Sequence, residues 1–394
     1  MRQVELKRFS AASRLERIKP SGIRRFFSLA QRVPDVISLG VGEPDFTPPP
    51  HVLEAAKLAL DRGKTHYPPT TGIQELREAL AEKAKQDYGL SYDPDTEILV
   101  TVGGTQAIFL APQALINPRD EVLIPDPGFL CYEPSVLMAG GTPVFMPLLE
   151  KNGFKIEEDD VMSQITEESR MMIINSPNNP TGTVLSHNDL ARLAKLAVER
   201  DMLVISDEVY EKITYDDARH FCLATFPGMQ ERTLVVGSFS KTYAMTGFRV
   251  GYVYGPRELV RQMMLVHQYC VACVDGPAQY AAFGALRGPQ GFVREMVSEF
   301  DRRRKLLHSG LNEIEGFHCS LPKGAFYIFA NIEDFKMSSE KLAELLVSQG
   351  RVVTVPGSAF GKRGEGYLRF SYATAYDKIE EALNRMARVA KAVR

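Results

Sequence analysis

The sequence is poor in cysteine: five occur in 394 residues, at Cys131, Cys222, Cys270, Cys273 and Cys319. An odd, scattered set excludes a disulfide framework and fits a reducing compartment, so a cytoplasmic location is expected. Cys270 and Cys273 form a C-x-x-C, but a zinc site needs a second pair at suitable spacing and the sequence has none. No metal is expected, and the two thiols read as small apolar residues at a helix-like spacing. An excess of charge is also missing. The formal net charge is −2 and no basic patch stands out, which gives no reason to expect nucleic acid or an anionic membrane as partner. No apolar run approaches the roughly 18 residues of a membrane helix. The N-terminus lacks the apolar region of a signal peptide, and Glu5 and Glu16 argue against a transit peptide. Repeats and low-complexity segments are absent.

What is present is ordinary globular composition, 44% hydrophobic and 24% charged. A chain of this length buries a large core without covalent staples. The N-terminus reads as an arm followed by a helix from Pro20-Ser21, with Ile23, Phe26, Phe27 and Ala30 on one face. Short apolar runs predict strands over 98–102, 121–125, 143–147, 171–175, 203–207, 234–238 and 249–254. Helical patterns lie between several of them, over 107–116 and over 187–200, where Leu190, Leu193, Ala194 and Ala197 share a face. Buried β-rich runs separated by helices predict an α/β fold with a mostly parallel sheet covered on both sides. In such sheets ligands bind beyond the carboxyl ends of the strands. Later segments differ. Helices ("EFDRRRKLLHSGLNEIEG", "SEKLAELLVSQG", "DKIEEALNRMARVAKAVR") mix with strands ("GAFYIFANI", "GYLRFSYA"), as in a smaller α+β domain. The early segment "VISLGVGEPDF" is grouped with it, which makes that domain discontinuous. The expected division is 1–46 (arm and part of the small domain), 47–285 (large domain) and 286–394 (small domain).

Three strand ends carry chemistry. After the first run, Gly103-Gly104-Thr105 open a helix, an arrangement whose free N–H groups and dipole suit an anion. A tight turn with Thr as N-cap explains the same residues. Asp207 ends an apolar run, and such a carboxylate is costly unless something positive faces it; Tyr210 follows within reach of the same ligand. A helix N-cap Asp followed by a core Tyr is the alternative there. Finally, "SFSKTYAMTGFRVGY" places Ser238, Ser240, Lys241 and Arg249 in small or aromatic surroundings. A desolvated Lys becomes a usable nucleophile or base, and a buried Arg implies an anion. Hydroxyls, Arg and a helix start suit a phosphate, the carboxylate suits a protonated ring nitrogen, and the Lys suits an aldehyde. Pyridoxal 5′-phosphate has all three groups.

Spanning almost the whole chain, "SLGVGEPDF", "HYPPTTGIQELREAL", "VGGTQAI", "NSPNNPTG", "SDEVY", "SFSKTYAMTGFRVGY", "PKGAFYIF" and "LRFSYA" resemble, in order and spacing, the class I and II aminotransferases of the aspartate aminotransferase superfamily. The resemblance implies fold type I. That fold has a large domain on a mostly parallel seven-stranded sheet between helices, plus a smaller discontinuous α+β domain. It also implies pyridoxal 5′-phosphate and amino transfer from an L-amino acid to 2-oxoglutarate by a ping-pong mechanism. By the same resemblance Lys241 is the lysine that binds the cofactor covalently and shuttles the proton. Asp207 is the partner of the ring nitrogen, and Tyr210 and Asn179 bond the 3′-oxygen. Ser238, Ser240, Arg249 and the backbone at Gly104-Thr105 hold the phosphate. Phe129 stacks on the ring, Arg369 pairs with the substrate α-carboxylate, and Gly42 and Asn179 contact the substrate beside it. Tyr67 reaches the phosphate of the neighbouring subunit, which makes the active unit a homodimer with shared sites.

Two positions depart from the acidic-substrate pattern. Some such relatives have Lys where this chain has Thr105, and many have Trp where it has Phe129. Together with "YDDARH" and "VVTVPGSAFGKRGEGYLRFSYATAYDK", which resemble archaeal aromatic aminotransferases, this shifts the expected donor toward aromatic amino acids, with aspartate also open. The rival readings are another fold type I enzyme, such as a carbon–sulfur β-lyase or an aminocyclopropane-carboxylate synthase, and a regulatory domain fused to a DNA-binding module. The motifs start near residue 37, which leaves little room for the latter.

Overall fold

The computed structural model describes residues 12–18 and 33–393. The helix expected from Pro20, with Ile23, Phe26, Phe27 and Ala30, lies outside the described residues. A short strand β1 (Ile37–Ser38) precedes seven strands: β2 (Ile98–Thr101), β3 (Glu121–Asp126), β4 (Thr142–Pro147), β5 (Ser169–Asn175), β6 (Leu203–Asp207), β7 (Thr233–Ser238) and β8 (Gly251–Tyr254). These seven form one sheet in the order β2-β8-β7-β6-β5-β3-β4, and only β8 runs antiparallel to its neighbours. All seven strands expected from the sequence are there, because the apolar runs of the inner strands are buried on both faces, as a covered parallel sheet requires, while the edge strand β4 is only partly covered.

Alternation along the strands sorts the core. Leu99, Val122, Ile124, Ile173, Ile205 and Val236 pack with the helix Gly103–Leu115 on one face. Leu123, Met172, Ile174 and Val204 pack with Leu190, Leu193, Ala194 and Ala197 of the helix His187–Glu199 on the other. That second helix starts where Ser186 and Asp189 form a reciprocal capping box. The first starts differently from the sequence reading. It begins at Gly103 after an uncapped Val102, so Thr105 lies inside the first turn and caps nothing. Among the described residues no helix is long and apolar enough to cross a membrane.

Further along the chain come β9 (Tyr327–Asn331), β10 (Val352–Val353), β11 (Val355–Pro356) and β12 (Tyr367–Ser371). β11, β12 and β9 form an antiparallel sheet, and β10 pairs in parallel with β1. The helices Gly291–Glu313, Ser339–Gly350 and Tyr376–Val393 cover them. The segment after β1 is thereby laid across this C-terminal sheet: Leu39 N–H donates to Val353 O (2.8 Å), and Ser371 N–H donates to Leu39 O (2.6 Å). Arg303 holds Asp45 at 2.8 Å, and Phe46 packs edge-on against Phe300.

Two local readings change. Arg249 does not begin a strand. It sits at φ +55°, in the left-handed region, and β8 starts two residues later. The C-x-x-C does not lie at helical spacing either, because its helix ends at Val271 and Ala272 has φ +64°.

Register then aligns the strand ends. Asn175 lies opposite Asp207, Asp207 opposite Val236, Ser238 opposite Gly251, and Gly251 opposite Thr101. Gly251 is pressed against the helix start: a Cβ there would lie 2.5 Å from Gly103 C and 2.6 Å from Gly104 N. We expect Gly251→Ala to lower stability by roughly 1–3 kcal/mol, an overpacking cost against rigid backbone. Gly247→Ala, with nothing near its added Cβ, should stay within about 0.5 kcal/mol. Denaturant melts of the two variants check this.

Candidate active site

The carboxyl ends of β5, β6 and β7 open into a cavity of about 270 Å³. Twelve of the thirteen residues singled out from the sequence line it: Gly42, Gly104, Thr105, Phe129, Asn179, Asp207, Tyr210, Ser238, Ser240, Lys241, Arg249 and Arg369. Tyr67 does not join them. Its side chain is 90% exposed on its own chain.

Asp207 is buried at the end of β6. Its Oδ2 accepts from the Tyr132 hydroxyl at 2.6 Å, and no helix follows it, so the N-cap alternative falls away. Burial pushes the Asp207 carboxyl up to about 6, while the bond from Tyr132 pulls it back. Asn175, its register neighbour, donates from Nδ2 to the Asp207 carbonyl (2.9 Å) and accepts the Asn179 N–H on Oδ1 (2.9 Å). This fixes the "PNNP" turn against β6.

Ser238 caps a one-turn helix, Phe239–Thr242, with its Oγ accepting from Ser240 N–H. Lys241 lies in that turn, and its Nζ donates to the Gly42 carbonyl. Burial, then the nearby Arg369 and Arg249 charges, lower its ammonium to about 8, against pulls upward from Glu43 and Asp207. The turn is anchored from behind. Thr242 Oγ1 donates to Glu211 at 3.3 Å, and Glu211 faces the buried Lys83 at 3.3 Å. Removing one partner of such a buried pair typically costs about 3–5 kcal/mol.

Arg249 sits beside the helix start at Gly103, where a Cβ would come within 2.4 Å of its Nη2. Its Nη1 donates to the Thr246 carbonyl at 3.0 Å and lies 3.5 Å from Ser240 Oγ. Arg249, two serine hydroxyls and the N–H groups of a helix start thus converge on one corner. Arg369 points in from β12. Its Nη1 donates to Asn179 Oδ1 (2.9 Å) and its Nη2 to the Gly40 carbonyl (2.7 Å), while its buried Nε has no partner among the described residues. The guanidinium lies 4.3 Å from the Tyr327 ring centroid and 4.8 Å from that of Phe360. Tyr210 shares a hydroxyl–hydroxyl bond of 2.9 Å with Tyr327.

Gly40, Tyr132, Asn175 and Tyr327 are the residues that the sequence reading missed. Asn175 ends an apolar run just as Asp207 does, so the same logic finds it. Tyr132, Tyr327 and Gly40 carry no such signal, because each meets its partner in the site, Asp207, Tyr210 or Arg369, only through tertiary packing.

Three cations and one carboxylate line this cavity among the described residues. The unpartnered Nε of Arg369, and the hydroxyl and N–H groups gathered beside Arg249, suit anions. The arrangement suits a phosphate at one corner, a carboxylate at another and a protonated nitrogen opposite Asp207.

The comparisons with known proteins agree with this geometry. The family model described as aminotransferase class I and II matches residues 34–386. An aspartate aminotransferase of Pyrococcus abyssi is 49% identical over 380 residues, which is 96% of this chain and 97% of that protein. An aromatic-amino-acid aminotransferase of Thermococcus litoralis is 48% identical over 382 residues, 96% of this chain and 98% of that one. The crystal structure of an aromatic aminotransferase from Pyrococcus horikoshii superposes with a TM-score of 0.89 at 50% identity, covering 93% of this chain and 99% of its own. The chain belongs to the class I and II aminotransferases, with the α/β fold of type I, and is an aminotransferase.

The shifted carboxyl of Asp207 has a consequence for stability. Its native value, about 6, lies above the ordinary carboxyl value of 3.8, so between those values the native state binds more protons than the unfolded chain. Stability without ligand therefore falls as pH rises through that window. We expect Asp207→Asn, free of ligand, to melt higher than the parent at pH 7 by a margin on the order of 1–3 kcal/mol. The gain should vanish near pH 4. Thermal melts across pH check it.

Proposed function

We propose that this aminotransferase binds pyridoxal 5′-phosphate in the cavity, with Lys241 as its covalent anchor and proton carrier. The observation that carries the reading is Lys241 itself: an amine held near 8 by burial and two arginines, in one cavity with the buried Asp207. When bound, the cofactor supplies an electron sink for the charge that develops at the substrate Cα.

The chain's own residues supply the rest. Arg249, Ser238, Ser240 and the N–H groups at Gly104-Thr105 hold the phosphate at a helix start, where the dipole favours it. Asp207 would keep a proton on the ring nitrogen facing it, and that positive charge would in turn favour the ionised carboxylate. Tyr132 orients that carboxylate. Tyr210 donates toward the 3′-oxygen, and so does the Asn179 amide, whose carbonyl end is taken by Arg369. Phe129 offers a flat face for stacking. Arg369 has five N–H donors and uses two of them on Asn179 and Gly40, which leaves N–H groups for a substrate carboxylate. Clamped there, the carboxylate orients the Cα–H bond toward the amine of Lys241, which takes the Cα proton and returns it one atom further on. The amino group would stay on the cofactor after the donor leaves and pass to the 2-oxo acid that binds next, so the kinetics are ping-pong.

Aromatic donors suit this cavity. Among the described residues that line it, Arg249, Lys241 and Arg369 are already assigned, Thr105 carries no charge, and Phe129 is apolar. Relatives named for aspartate and for aromatic amino acids fit both donor classes. With 2-oxoglutarate as acceptor, we expect Tyr and Phe to be good donors and aspartate to be weaker or comparable. A panel of donors ranked by kcat/KM checks the order. An aspartate value a hundredfold above that of tyrosine, about 2.7 kcal/mol of transition-state binding, overturns it.

Two copies are proposed to share each site. Tyr67 and Tyr269 are each nearly fully exposed, and Leu265 and Val271 partly so, large apolar side chains that a second copy would cover. Mixing Tyr67→Ala with Lys241→Ala subunits should then restore part of the activity, because one site of the heterodimer carries neither lesion. Failure to recover despite proven exchange leaves Tyr67 a residue of its own chain. The proposed setting is the cytoplasm, where the five free thiols stay reduced.

A further inference from the structure

Tyr327 joins the two halves of the cavity. It lies on β9 opposite Ser371 of β12, while Phe329 lies opposite Arg369. Residues two apart on paired strands share a face, so Tyr327 and Arg369 are diagonal neighbours on one side of the C-terminal sheet. Its ring therefore meets the guanidinium, at 4.3 Å. Its hydroxyl crosses to the other half of the cavity and meets that of Tyr210 at 2.9 Å. The same hydroxyl lies 2.7 Å from where a Cβ at Gly42 would be, so it also abuts the segment whose carbonyl accepts from Lys241. No other side chain of the cavity bonds or stacks on both Tyr210 and Arg369 among the described residues.

We infer that Tyr327 is a positioning residue with two separable tasks: its hydroxyl aims the proton of Tyr210 at the ring oxygen, and its ring fixes the plane of Arg369 for the substrate carboxylate. The inference rests on the cofactor reading above. Proton counting gives the first task its direction. Each phenol has one hydrogen. If Tyr210 gives its hydrogen to the ring oxygen, the bond between the two phenols must be donated by Tyr327. Donation into Tyr210 oxygen polarises its O–H and strengthens the next bond in the chain. The ring oxygen is then favoured in its anionic form. The second task follows from geometry. The guanidinium is planar by itself, and lying against an aromatic face holds that plane in one orientation, which a bidentate carboxylate needs.

Tyr327→Phe removes the first task and keeps the second, whereas Tyr327→Leu removes both. The proteins to compare are the parent and both variants, each loaded with pyridoxal 5′-phosphate and free of substrate. The first readout is the pH midpoint of the bound cofactor's visible absorbance. The second is the split between kcat and KM for an amino donor. In Tyr327→Phe the midpoint should rise by about 0.3–0.5 pH unit, because the ring oxygen loses part of its anion stabilisation. Its kcat should fall roughly three- to tenfold with KM within about twofold. In Tyr327→Leu the KM should also rise, by about five- to tenfold, the worth of one cation–π contact. An unmoved midpoint in Tyr327→Phe overturns the hydroxyl's task, and this variant decides that point even if Tyr327→Leu fails to fold. A KM in Tyr327→Phe raised as far as by loss of the ring overturns the ring's task. A parent protein that takes up no visible chromophore sinks the cofactor reading and this inference with it, a failure distinct from one seen in the variants alone.

Discussion

An unbalanced set of buried charges governs this structure. Lys241, Arg249 and Arg369 face one carboxylate, Asp207, at the carboxyl ends of the central strands. Burial pushes Asp207 up and Lys241 down, so both charged forms are disfavoured where they stand. A fold that only sought stability would not put them there. The excess positive charge is what a doubly anionic ligand needs, and the shifted amine is what covalent capture needs. Around this centre most polar groups are held: Tyr132 bonds Asp207, Gly40 and Asn179 take the two arms of Arg369, and Gly42 takes the lysine, while the Arg369 Nε is left without a partner among the described residues.

The backbone explains how charges so distant in sequence come together. Parallel strands in register set Asn175, Asp207 and Ser238 along one rim. β8 runs against them, and its first glycine lets the helix start at Gly103 press in beside Ser238. Arg249, in the left-handed region just before β8, turns back to that helix start. The C-terminal sheet contributes Arg369 and Tyr327, and the segment after β1 lies across the sheet to deliver Gly40 and Gly42. Each side chain of the site is thus held by an element packed for other reasons, which gives the preorganisation that catalysis requires.

The strands of the central sheet were readable because burial on both faces leaves unbroken apolar runs, as in 171–175 and 203–207. Their ends were readable for the same reason: a charge that stops such a run, as Asp207 does, needs a purpose. Lys241 and Arg249 stood out by their apolar surroundings. The helix start at Gly103 and the conformation of Arg249 were misjudged, since boundaries depend on backbone geometry that local composition does not encode. The C-x-x-C was misjudged likewise, because the positive φ at Ala272 ends the helix between its two cysteines.

By itself, then, the sequence determined the layered α/β fold and the chemical types gathered at the strand ends, because hydrophobic period and isolated charge are local properties of the chain; the family came from the resemblance of its motifs. Only the tertiary structure decided which neighbours tune them. Tyr132 reaches Asp207 across 75 positions, Tyr327 reaches Tyr210 across 117, and Gly40 reaches Arg369 across 329. Tyr67, by contrast, is left exposed and outside the lining of its own cavity. Such contacts depend on strand register and on where one sheet rests against another. These are set by the packing of the whole core, and no short stretch of residues contains them.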